Sequence, residues 1–369
     1  MYEKELNSIK KANRYRTRKV FDTNLIDLAS NDYLGLASQK EIFENTYKKL
    51  HNEKFTSPKA SIVVTGYSQL HKDFEDDLKK YNGFEDAVVV GSGFLANISM
   101  IEALVRKGDV LFIDENYHAS GMLATRLLNK NQVVIFKHND CQDLKEKFEN
   151  QNVKGRKIIA IEGVYSMEGD LAPKEIFDFA NEKNALLIVD EAHSSGVLGE
   201  NLLGIFDLYK ITPRENHIKM GTLGKAYGSY GAYILASKTI IDFLVNRAKA
   251  IIYTTAPSLF DIVSGHESLK YIQKNKVQIK EKISSNLQIV NSILNLNSQS
   301  LIIPVQIADN KKVLDIQKQL EENGYLVGAI RQPTVKSAII RLIAKTDIKQ
   351  NDLEYVCNFL KEAKWKNYF

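Results

Sequence analysis

The stretch Ala185-Leu186-Leu187-Ile188-Val189-Asp190 decides the fold class of this chain. It is apolar on both faces of an extended backbone, which is typical of a strand in a parallel sheet covered by helices on both sides. From residue 84 onward, similar short apolar runs alternate with helical patterns, as in successive strand–helix units. We therefore predict an α/β domain with a mostly parallel seven-stranded sheet, its strands being Ala87 to Gly91, Val110 to Ile113, Val133 to Phe136, Lys157 to Glu162, Ala185 to Asp190, Ile218 to Gly221 and Gly231 to Leu235.

The length of 369 residues is that of about two domains. We predict an N-terminal segment over residues 1–45, a large domain over 46–265 and a small C-terminal α+β domain over 266–369, with a helix as the connection. The small domain is predicted from strands at Leu301 to Ile307, Tyr325 to Ile330 and Ile339 to Ala344 and from helices at Val313 to Glu322 and Asn351 to Glu362.

Composition excludes several classes of protein. A net charge of +5 is too small to indicate a nucleic-acid-binding protein of this size. Cys141 and Cys357 lack a CxxC or histidine-rich context, so we expect neither a disulfide framework nor a zinc site. No apolar run approaches the roughly 20 residues that span a bilayer, and the first residues are not those of a signal peptide. We expect a cytoplasmic protein without a membrane segment.

Candidate site residues follow the predicted strands. Gly91, Glu162, Asp190 and Thr222 all come at carboxyl ends, where parallel sheets bind their ligands, so one crevice can collect them. The turn Gly91-Ser92-Gly93-Phe94 leads into a helix, and its free amides would attract a phosphate. Taken alone, this motif is more often only a tight turn, and His118 more often a structural histidine.

A single lysine, Lys225, lies in the glycine-rich stretch from Gly221 to Gly228, directly after a predicted strand. Glycines let a ligand approach the backbone closely, so this lysine is poised for chemistry. We favour core packing for the two aromatic residues that follow, Tyr227 and Tyr230, over a role in shaping a substrate channel.

The string Asp190-Glu191-Ala192-His193 raises the possibility of a different class of protein, a nucleotide-driven motor. Its four residues match the acidic motif of the DEAH-box helicases. A nucleotide motor also needs an earlier GxxxxGK[ST] loop to hold phosphates and magnesium. The only Gly-Lys pair follows the acidic motif, has Lys219 at the position of the first glycine and continues with Ala226. The sequence therefore disfavours a nucleotide motor.

The conjunction of a phosphate turn, His118, Asp190 and Lys225 matches the needs of pyridoxal 5'-phosphate. A lysine must hold the aldehyde as a Schiff base, and a carboxylate must keep the pyridine nitrogen protonated. An aromatic side chain must cover the ring, while amides and hydroxyls hold the phosphate. These residues therefore predict an enzyme that uses this cofactor.

Six motifs over nearly the whole chain carry a family resemblance: residues 30–36 (SNDYLGL), 91–97 (GSGFLAN), 118–120 (HAS), 162–170 (EGVYSMEGD), 190–193 (DEAH) and the Lys225 stretch. Together they resemble the α-oxoamine synthases, pyridoxal-phosphate enzymes of the type I aminotransferase fold. The resemblance implies that Lys225 anchors the cofactor, Asp190 pairs with the pyridinium nitrogen, His118 stacks on the ring and His193 bonds the ring oxygen. It also implies further cofactor contacts from Ser92, Gly93, Phe94, Ser166 and Thr222, and from Thr254 or Thr255 across a homodimer.

The family joins glycine, alanine or serine to an acyl thioester with loss of carbon dioxide, and the core motifs do not choose among them. Residues 329–335 (AIRQPTV) and 252–256 (IYTTA) resemble the member that condenses L-alanine with a pimeloyl thioester in biotin biosynthesis. That resemblance implies substrate contacts from Arg14, His118 and Thr334 and a carboxylate contact from Arg341. Sister activities that use glycine with an acetyl or succinyl thioester stay open.

The chain departs from the family pattern near the expected acyl-chain contacts. Residues 57–64 replace a glycine-rich run, Gln332 replaces a proline, Ile339 replaces an arginine, and the segment 334–341 is about two residues short. A cluster of basic residues lies near the N-terminus, between residues 10 and 19. It could dock an acidic acyl carrier protein, or it could be a solvated face. Its members are Lys10, Lys11, Arg14, Arg16, Arg18 and Lys19.

Overall fold

The structure, a computed structural model, describes residues 1–12 and 14–365. Residues 366–369 of the predicted C-terminal domain lie outside the described residues, as does residue 13. The chain divides into two compact units. The large unit comprises residues 34–166 and 170–280, and the small unit comprises residues 1–33, 167–169 and the chain from 281 onward.

The strands match the sequence-based prediction closely, and all seven predicted strands of the large sheet are present within one residue at either end. The described strands are β1 (Ile26–Asp27), β2 (Asp86–Val90), β3 (Val110–Asp114), β4 (Val133–Phe136), β5 (Lys157–Glu162), β6 (Leu186–Asp190), β7 (His217–Thr222), β8 (Ala232–Ala236), β9 (Ile302–Gln306), β10 (Tyr325–Leu326), β11 (Gly328–Ile330) and β12 (Ile339–Ile343).

The helices alternate with these strands through the large unit. The described helices are α1 (Glu3–Lys11), α2 (Lys40–His51), α3 (Gln69–Asn82), α4 (Gly93–Leu104), α5 (Ala119–Ala124), α6 (Cys141–Glu149), α7 (Lys174–Glu182), α8 (Ile205–Leu208), α9 (Lys238–Arg247), α10 (Lys249–Ile252), α11 (Leu259–Leu294), α12 (Asn310–Glu322) and α13 (Gln350–Trp365). In this described part of the chain, no helix combines the length and apolar character needed to cross a membrane.

The large unit is built on a seven-stranded sheet with the order β2-β8-β7-β6-β5-β3-β4. β8 runs antiparallel to both of its neighbours, and the other pairings are parallel. The predicted α/β class with a mostly parallel sheet is thus confirmed. Asp190 at the end of β6 pairs in register with Glu162 of β5 and Met220 of β7. These three neighbouring strands therefore end at the same side of the sheet, the side formed by the C-terminal ends of the parallel strands.

Helix α4 is fixed to this sheet by its apolar residues. Met100 and Ile101 are completely buried in a cluster with Ile113 of β3, Ile188 of β6 and Ile234 of β8. Burial of an aliphatic side chain of this size contributes about 1.5–3 kcal/mol. The helix begins directly after β2, so its N-terminus is held rigidly at the carboxyl edge of the sheet.

The small unit contains an antiparallel sheet, β11-β12-β9, and a parallel pair, β1 with β10. The single strand predicted from Tyr325 to Ile330 is wrong, since the chain forms two strands there. Residues Tyr325 and Leu326 pair with β1, whereas residues Gly328 to Ile330 pair with β12. A buried Val327 separates them, because the two halves serve different partners.

His138, in the loop after β4, joins the last residue of β3 to the loop after β5. Its Nδ1 lies 3.1 Å from Asp114 Oδ1, and its Nε2 lies 2.8 Å from Asp170 Oδ2. The ring also stands edge-on to Tyr165, with the centroids 4.3 Å apart. Burial by itself would lower the pKa of His138, but the hydrogen bonds and charges of the two carboxylates outweigh it and raise the pKa to about 10.

We expect these His138 contacts to make the free energy of unfolding depend on pH. A histidine with a raised folded-state pKa stabilises fully below the unfolded value of 6.5, progressively less above it, and no longer above about pH 10. A His138→Gln variant should therefore be less stable than the wild type at pH 7, with a difference that shrinks toward pH 10. Urea unfolding at several pH values measures this, and a difference independent of pH would contradict it.

Candidate active site

The carboxyl ends of the central strands enclose a cavity of about 170 Å³ in the large unit. β5, β6 and β7 contribute their final residues, and α4 contributes its first turn. Eight of the candidate site residues, Glu162 among them, meet here, together with three others. The lining residues are Gly93, Phe94, Asn97, His118, Glu162, Asp190, Ala192, His193, Met220, Thr222 and Lys225.

The turn after β7 carries Lys225 into this cavity. Gly228 turns the chain with a φ of +57°, and a Cβ added there would lie 2.4 Å from the backbone nitrogen of Ala37. Lys225 Nζ lies 2.7 Å from His193 Nε2, so the amine is held beside an imidazole. This contact joins residues 32 positions apart and places the amine in the same cavity as Asp190.

Asp190 is a buried carboxylate with defined hydrogen bonds. Its side chain is 4% exposed. Oδ1 accepts a hydrogen bond from the backbone N–H of Ala192 at 3.0 Å, and Oδ2 accepts a hydrogen bond from Asn97 Nδ2 at 2.8 Å. These bonds hold the carboxylate in one orientation at the edge of the sheet, and charge-assisted bonds of this kind are among the stronger ones.

His118 lies at the N-terminus of α5 with its Nδ1 engaged. Ser120 Oγ lies 2.7 Å from Nδ1, and the Ser120 backbone N–H donates to the same atom at 3.2 Å. Burial lowers the pKa of His118, and the charge of Lys225 acts in the same direction against the opposing charge of Asp190. The imidazole is therefore held predominantly neutral at neutral pH.

The residues present fit pyridoxal phosphate. The cavity offers an amine, a buried carboxylate, an imidazole, the Thr222 hydroxyl and the N-terminus of a 12-residue helix, which favours an anion. A Cβ added to Gly93 would point between Met220 and Thr222, 3.8 Å from each, so the glycine leaves room at the phosphate turn. A lysine, a carboxylate and a glycine turn at a helix N-terminus thus occupy one cavity, as this cofactor requires.

Some predicted contacts lie elsewhere in the described chain. Ser92 caps α4 by accepting the backbone N–H of Leu95 at 3.2 Å. Ser92, Ser166, Thr254 and Thr255 are all outside the cavity lining. Their predicted cofactor contacts stay predictions, and for the two threonines the prediction already involved a neighbouring subunit.

Two predicted substrate residues meet in the small unit. Arg14 and Thr334 line a cavity of about 100 Å³ with Arg16 and Arg331, which were not predicted. Arg16 donates to Thr334 Oγ1 at 3.1 Å. Three guanidinium groups around one cavity suit a carboxylate or phosphate. Arg341 is a buried residue of β12 in the same unit.

Asn97 lines the cavity although it was not among the predicted site residues, and Tyr230 does not pack as predicted. Asn97 is the one amide among the apolar residues of α4, a signal that could have identified it. Tyr227 is buried and packs edge-on against Tyr233, so the core-packing prediction is confirmed for this residue. That prediction is wrong for Tyr230, which is 62% exposed because it lies in the loop between β7 and β8, and such loops run along the surface.

Comparisons with known proteins agree with this geometry. The family model "aminotransferase class I and II" matches residues 23–360. An 8-amino-7-oxononanoate synthase of Helicobacter pylori is 43% identical over 98% of this chain and 96% of its own. The crystal structure of an 8-amino-7-oxononanoate synthase from Francisella tularensis has a TM-score of 0.80 at 25% identity, covering 94% of this chain and all of that one. The serine palmitoyltransferase of Sphingomonas wittichii shares the fold, with a TM-score of 0.88 at 24% identity over 98% of this chain and 95% of that one.

Proposed function

The chain belongs to the aminotransferase class I and II family, and on that premise we propose that it acts in the cytoplasm as an 8-amino-7-oxononanoate-forming acyltransferase. It joins L-alanine to a pimeloyl thioester and releases carbon dioxide and a thiol. Its cofactor is pyridoxal 5'-phosphate. The observation that carries the proposal is the meeting of Lys225, Asp190 and His118 in one cavity of a chain so similar to a synthase of this name.

Pyridoxal phosphate, when bound, supplies an electron sink for the negative charge that develops at the alanine Cα. Lys225 would anchor the cofactor and would also act as the general base that takes the proton from the alanine Cα. His193 holds Lys225 Nζ in place at 2.7 Å. Asp190 would keep a proton on the ring nitrogen, and His118 would cover the ring.

The acyl transfer forms a carbon–carbon bond between the alanine Cα and the thioester carbonyl. The thiolate leaves and takes up a proton to form the thiol, the original alanine carboxylate departs as carbon dioxide, and Cα takes up a proton in its place. The arginine-lined cavity of the small unit supports recognition of an anionic substrate, with Arg14 and Thr334 as the residues that the family resemblance assigns to it. Arg341 is proposed to bind the alanine carboxylate.

Pairing each amino acid with each thioester tests the proposed function. Glycine, alanine and serine are offered with acetyl, succinyl and pimeloyl thioesters, and thiol release is measured. We expect alanine with the pimeloyl thioester to give the highest kcat/KM. A preference for glycine with a shorter thioester would instead assign the chain to a sister synthase.

The alternative of a nucleotide motor is wrong. Asp190, the first residue of the acidic motif, is bonded to Asn97 in a cavity whose other members include Lys225. The family model covers this region as an aminotransferase, with residues 23–360 matched. The motif therefore belongs to cofactor binding.

We further propose that the enzyme is a homodimer, because the large unit exposes a set of aromatic side chains. Phe43 is 59% exposed and Tyr253 is 81% exposed, and the ring of Phe43 lies 6.3 Å from that of Phe260. A backbone bond from Ala256 to Ala60 joins the Tyr253 loop to the unusual segment 57–64. Exposed apolar surface of this kind marks an interface with a partner.

A charge placed in this aromatic set is expected to separate the subunits. We expect Phe43→Glu to shift the protein toward monomer in analytical ultracentrifugation and to reduce turnover, because Thr254 and Thr255 are predicted to serve the neighbouring site. Glu44→Gln, at the next position of α2, is the control. A Phe43→Glu protein that stays dimeric and fully active would contradict the assignment of the interface.

The acyl donor is proposed to arrive on an acidic carrier protein that meets the basic cluster. Part of this cluster is engaged within the small unit, since Lys19 pairs with Glu321 and Arg16 bonds Thr334. Lys10 and Lys11 lie in the last turn of α1, which is exposed along its whole length. They are therefore available to steer an acidic partner.

Charge reversal at Lys10 and Lys11 tests this docking surface. We expect the double change to glutamate to lower kcat/KM for pimeloyl carrier protein about tenfold at low salt and to leave the coenzyme A thioester nearly unaffected. Added salt should reduce the difference between the wild type and the variant. Equal effects on both donors would show that the cluster is a solvated face.

A further inference from the structure

A buried series of side-chain hydrogen bonds connects Asp190 to His118 through Asn97 and Ser120. The Asn97 side chain is 1% exposed. Its Nδ2 lies 2.8 Å from Asp190 Oδ2 and 2.9 Å from Ser120 Oγ, while its Oδ1 lies 2.7 Å from the Tyr117 hydroxyl oxygen. A primary amide has two N–H donors and one carbonyl, so these three neighbours engage each of its polar groups.

The donor and the acceptor of each hydrogen bond in this series can be assigned from the chemistry of the groups involved. A carboxylate only accepts, so the NH₂ group of Asn97, and not its carbonyl, must face Asp190. The same NH₂ group then donates to Ser120 Oγ. The single hydroxyl proton of Ser120 is left for His118 Nδ1, 2.7 Å away. The Ser120 backbone N–H, 3.2 Å from Nδ1, can also only donate.

Tyr117 secures the other end of the amide. It is 3% exposed. Burial raises the pKa of its hydroxyl well above the usual value, and the charges of Asp190 and Glu162 add to this effect. The hydroxyl therefore keeps its proton and donates it to the Asn97 carbonyl, which fixes the rotation of the amide.

We propose that Asn97 is a positioning residue that orients Asp190 and, through Ser120, sets His118 in the tautomer with its proton on Nε2. Both of its N–H groups are attached to one nitrogen, so an amide rotation that breaks the bond to Asp190 also breaks the bond to Ser120. Asn97 thereby couples Asp190, the proposed partner of the ring nitrogen, to His118, the residue proposed to cover the ring.

The inference rests on the proposed function only where it takes Asp190 and His118 as cofactor contacts. The tautomer itself is a property of the cofactor-free protein. Its measurement therefore succeeds or fails independently of the condensation assay.

Nitrogen-15 NMR of histidine-labelled, cofactor-free protein tests the tautomer. The His118 signals are assigned by their loss in a His118→Asn variant. We expect the wild type to show an unprotonated Nδ1 and a protonated Nε2. In Asn97→Ala and in Ser120→Ala we expect the signals to move part of the way toward tautomer-averaged values, because the hydroxyl proton is no longer directed to Nδ1 and only the Ser120 backbone N–H still favours the unprotonated form. A wild-type proton on Nδ1, or an unchanged signal in Asn97→Ala, would overturn the proposal.

The affinity for the cofactor distinguishes the effect of Asn97 on Asp190 from its effect on His118 through Ser120. We expect Asn97→Ala to weaken pyridoxal phosphate binding to the cofactor-free protein by about tenfold or more, since Asp190 loses one of its two donors. Ser120→Ala should stay within about twofold of the wild type, because its effect is confined to His118. Ser99→Ala is the matched control, a buried position on α4 whose hydroxyl bonds only Leu95 O, at 2.7 Å.

If Asn97→Ala and Ser99→Ala have equal effects on affinity, Asn97 only packs and the proposal fails. Should Asn97→Ala not fold, as judged by circular dichroism, Tyr117→Phe replaces it. This variant keeps the amide but releases its carbonyl, so a smaller change of the His118 signals in the same direction is expected. Unchanged His118 signals in folded Tyr117→Phe would overturn the proposal.

Discussion

Replacement of Lys225 by alanine is expected to abolish condensation of L-alanine with a pimeloyl thioester. Among the residues that line the cavity, Lys225 is the one lysine, and its Nζ lies 2.7 Å from His193 Nε2. The variant would lose both the proposed covalent anchor of the cofactor and the proposed base for the Cα proton. Thiol release measures turnover, and borohydride treatment of the holoenzyme reports whether the anchor is present.

A matched control distinguishes this effect from a general loss of lysine charge. Lys238 begins α9 at the surface and pairs with Asp242, so Lys238→Ala should keep wild-type turnover. The Lys225→Ala protein should retain its fold by circular dichroism. Wild-type-like turnover in Lys225→Ala, prepared from a host that lacks its own synthase, would exclude the proposed function.

Replacement of Asp190 by asparagine is expected to reduce kcat/KM by several orders of magnitude. The change keeps the size of the side chain and the acceptor for the Ala192 N–H, but it removes the negative charge. An amide cannot hold a proton on the ring nitrogen, and a neutral ring is a poor electron sink. Its NH₂ group would also meet the donor of Asn97, which lies 2.8 Å from Asp190 Oδ2 in the wild type.

The neighbouring carboxylate, Glu162, makes the Asp190 experiment decisive. It ends β5, pairs in register with Asp190 and lines the same cavity. We expect Glu162→Gln to lose less activity than Asp190→Asn when both proteins are saturated with cofactor. The reverse order would show that Glu162, and not Asp190, holds the proton of the ring.

The strands and the location of the site could be predicted from the sequence because their signals are local. A buried parallel strand such as β6 is apolar on both faces, and the residue that ends it lies at the ligand-binding edge. Asp190, Thr222 and Lys225 follow from this rule, and the structure brings them to one cavity. The order of the motifs then indicated the cofactor.

Contacts between distant segments could not be predicted in this way. Asn97 and Asp190 are 93 positions apart, and Arg16 and Thr334 are 318 apart. The His138 contacts likewise join the loop after β4 to the last residue of β3 and to the loop after β5. No periodicity or spacing relates such residues, since their approach is a consequence of sheet order and loop path.

The α/β class, the strand positions and the residue types of the site could be predicted without coordinates, because burial pattern and residue type are local properties of the chain. The tertiary structure decided how these site residues are connected. In the folded protein the two N–H groups of Asn97 donate to Asp190 and Ser120, and Ser120 in turn lies beside His118. Tyr230 lies at the surface. Hydrogen-bond partners depend on distances between separate segments, and those distances exist only once the sheet has formed.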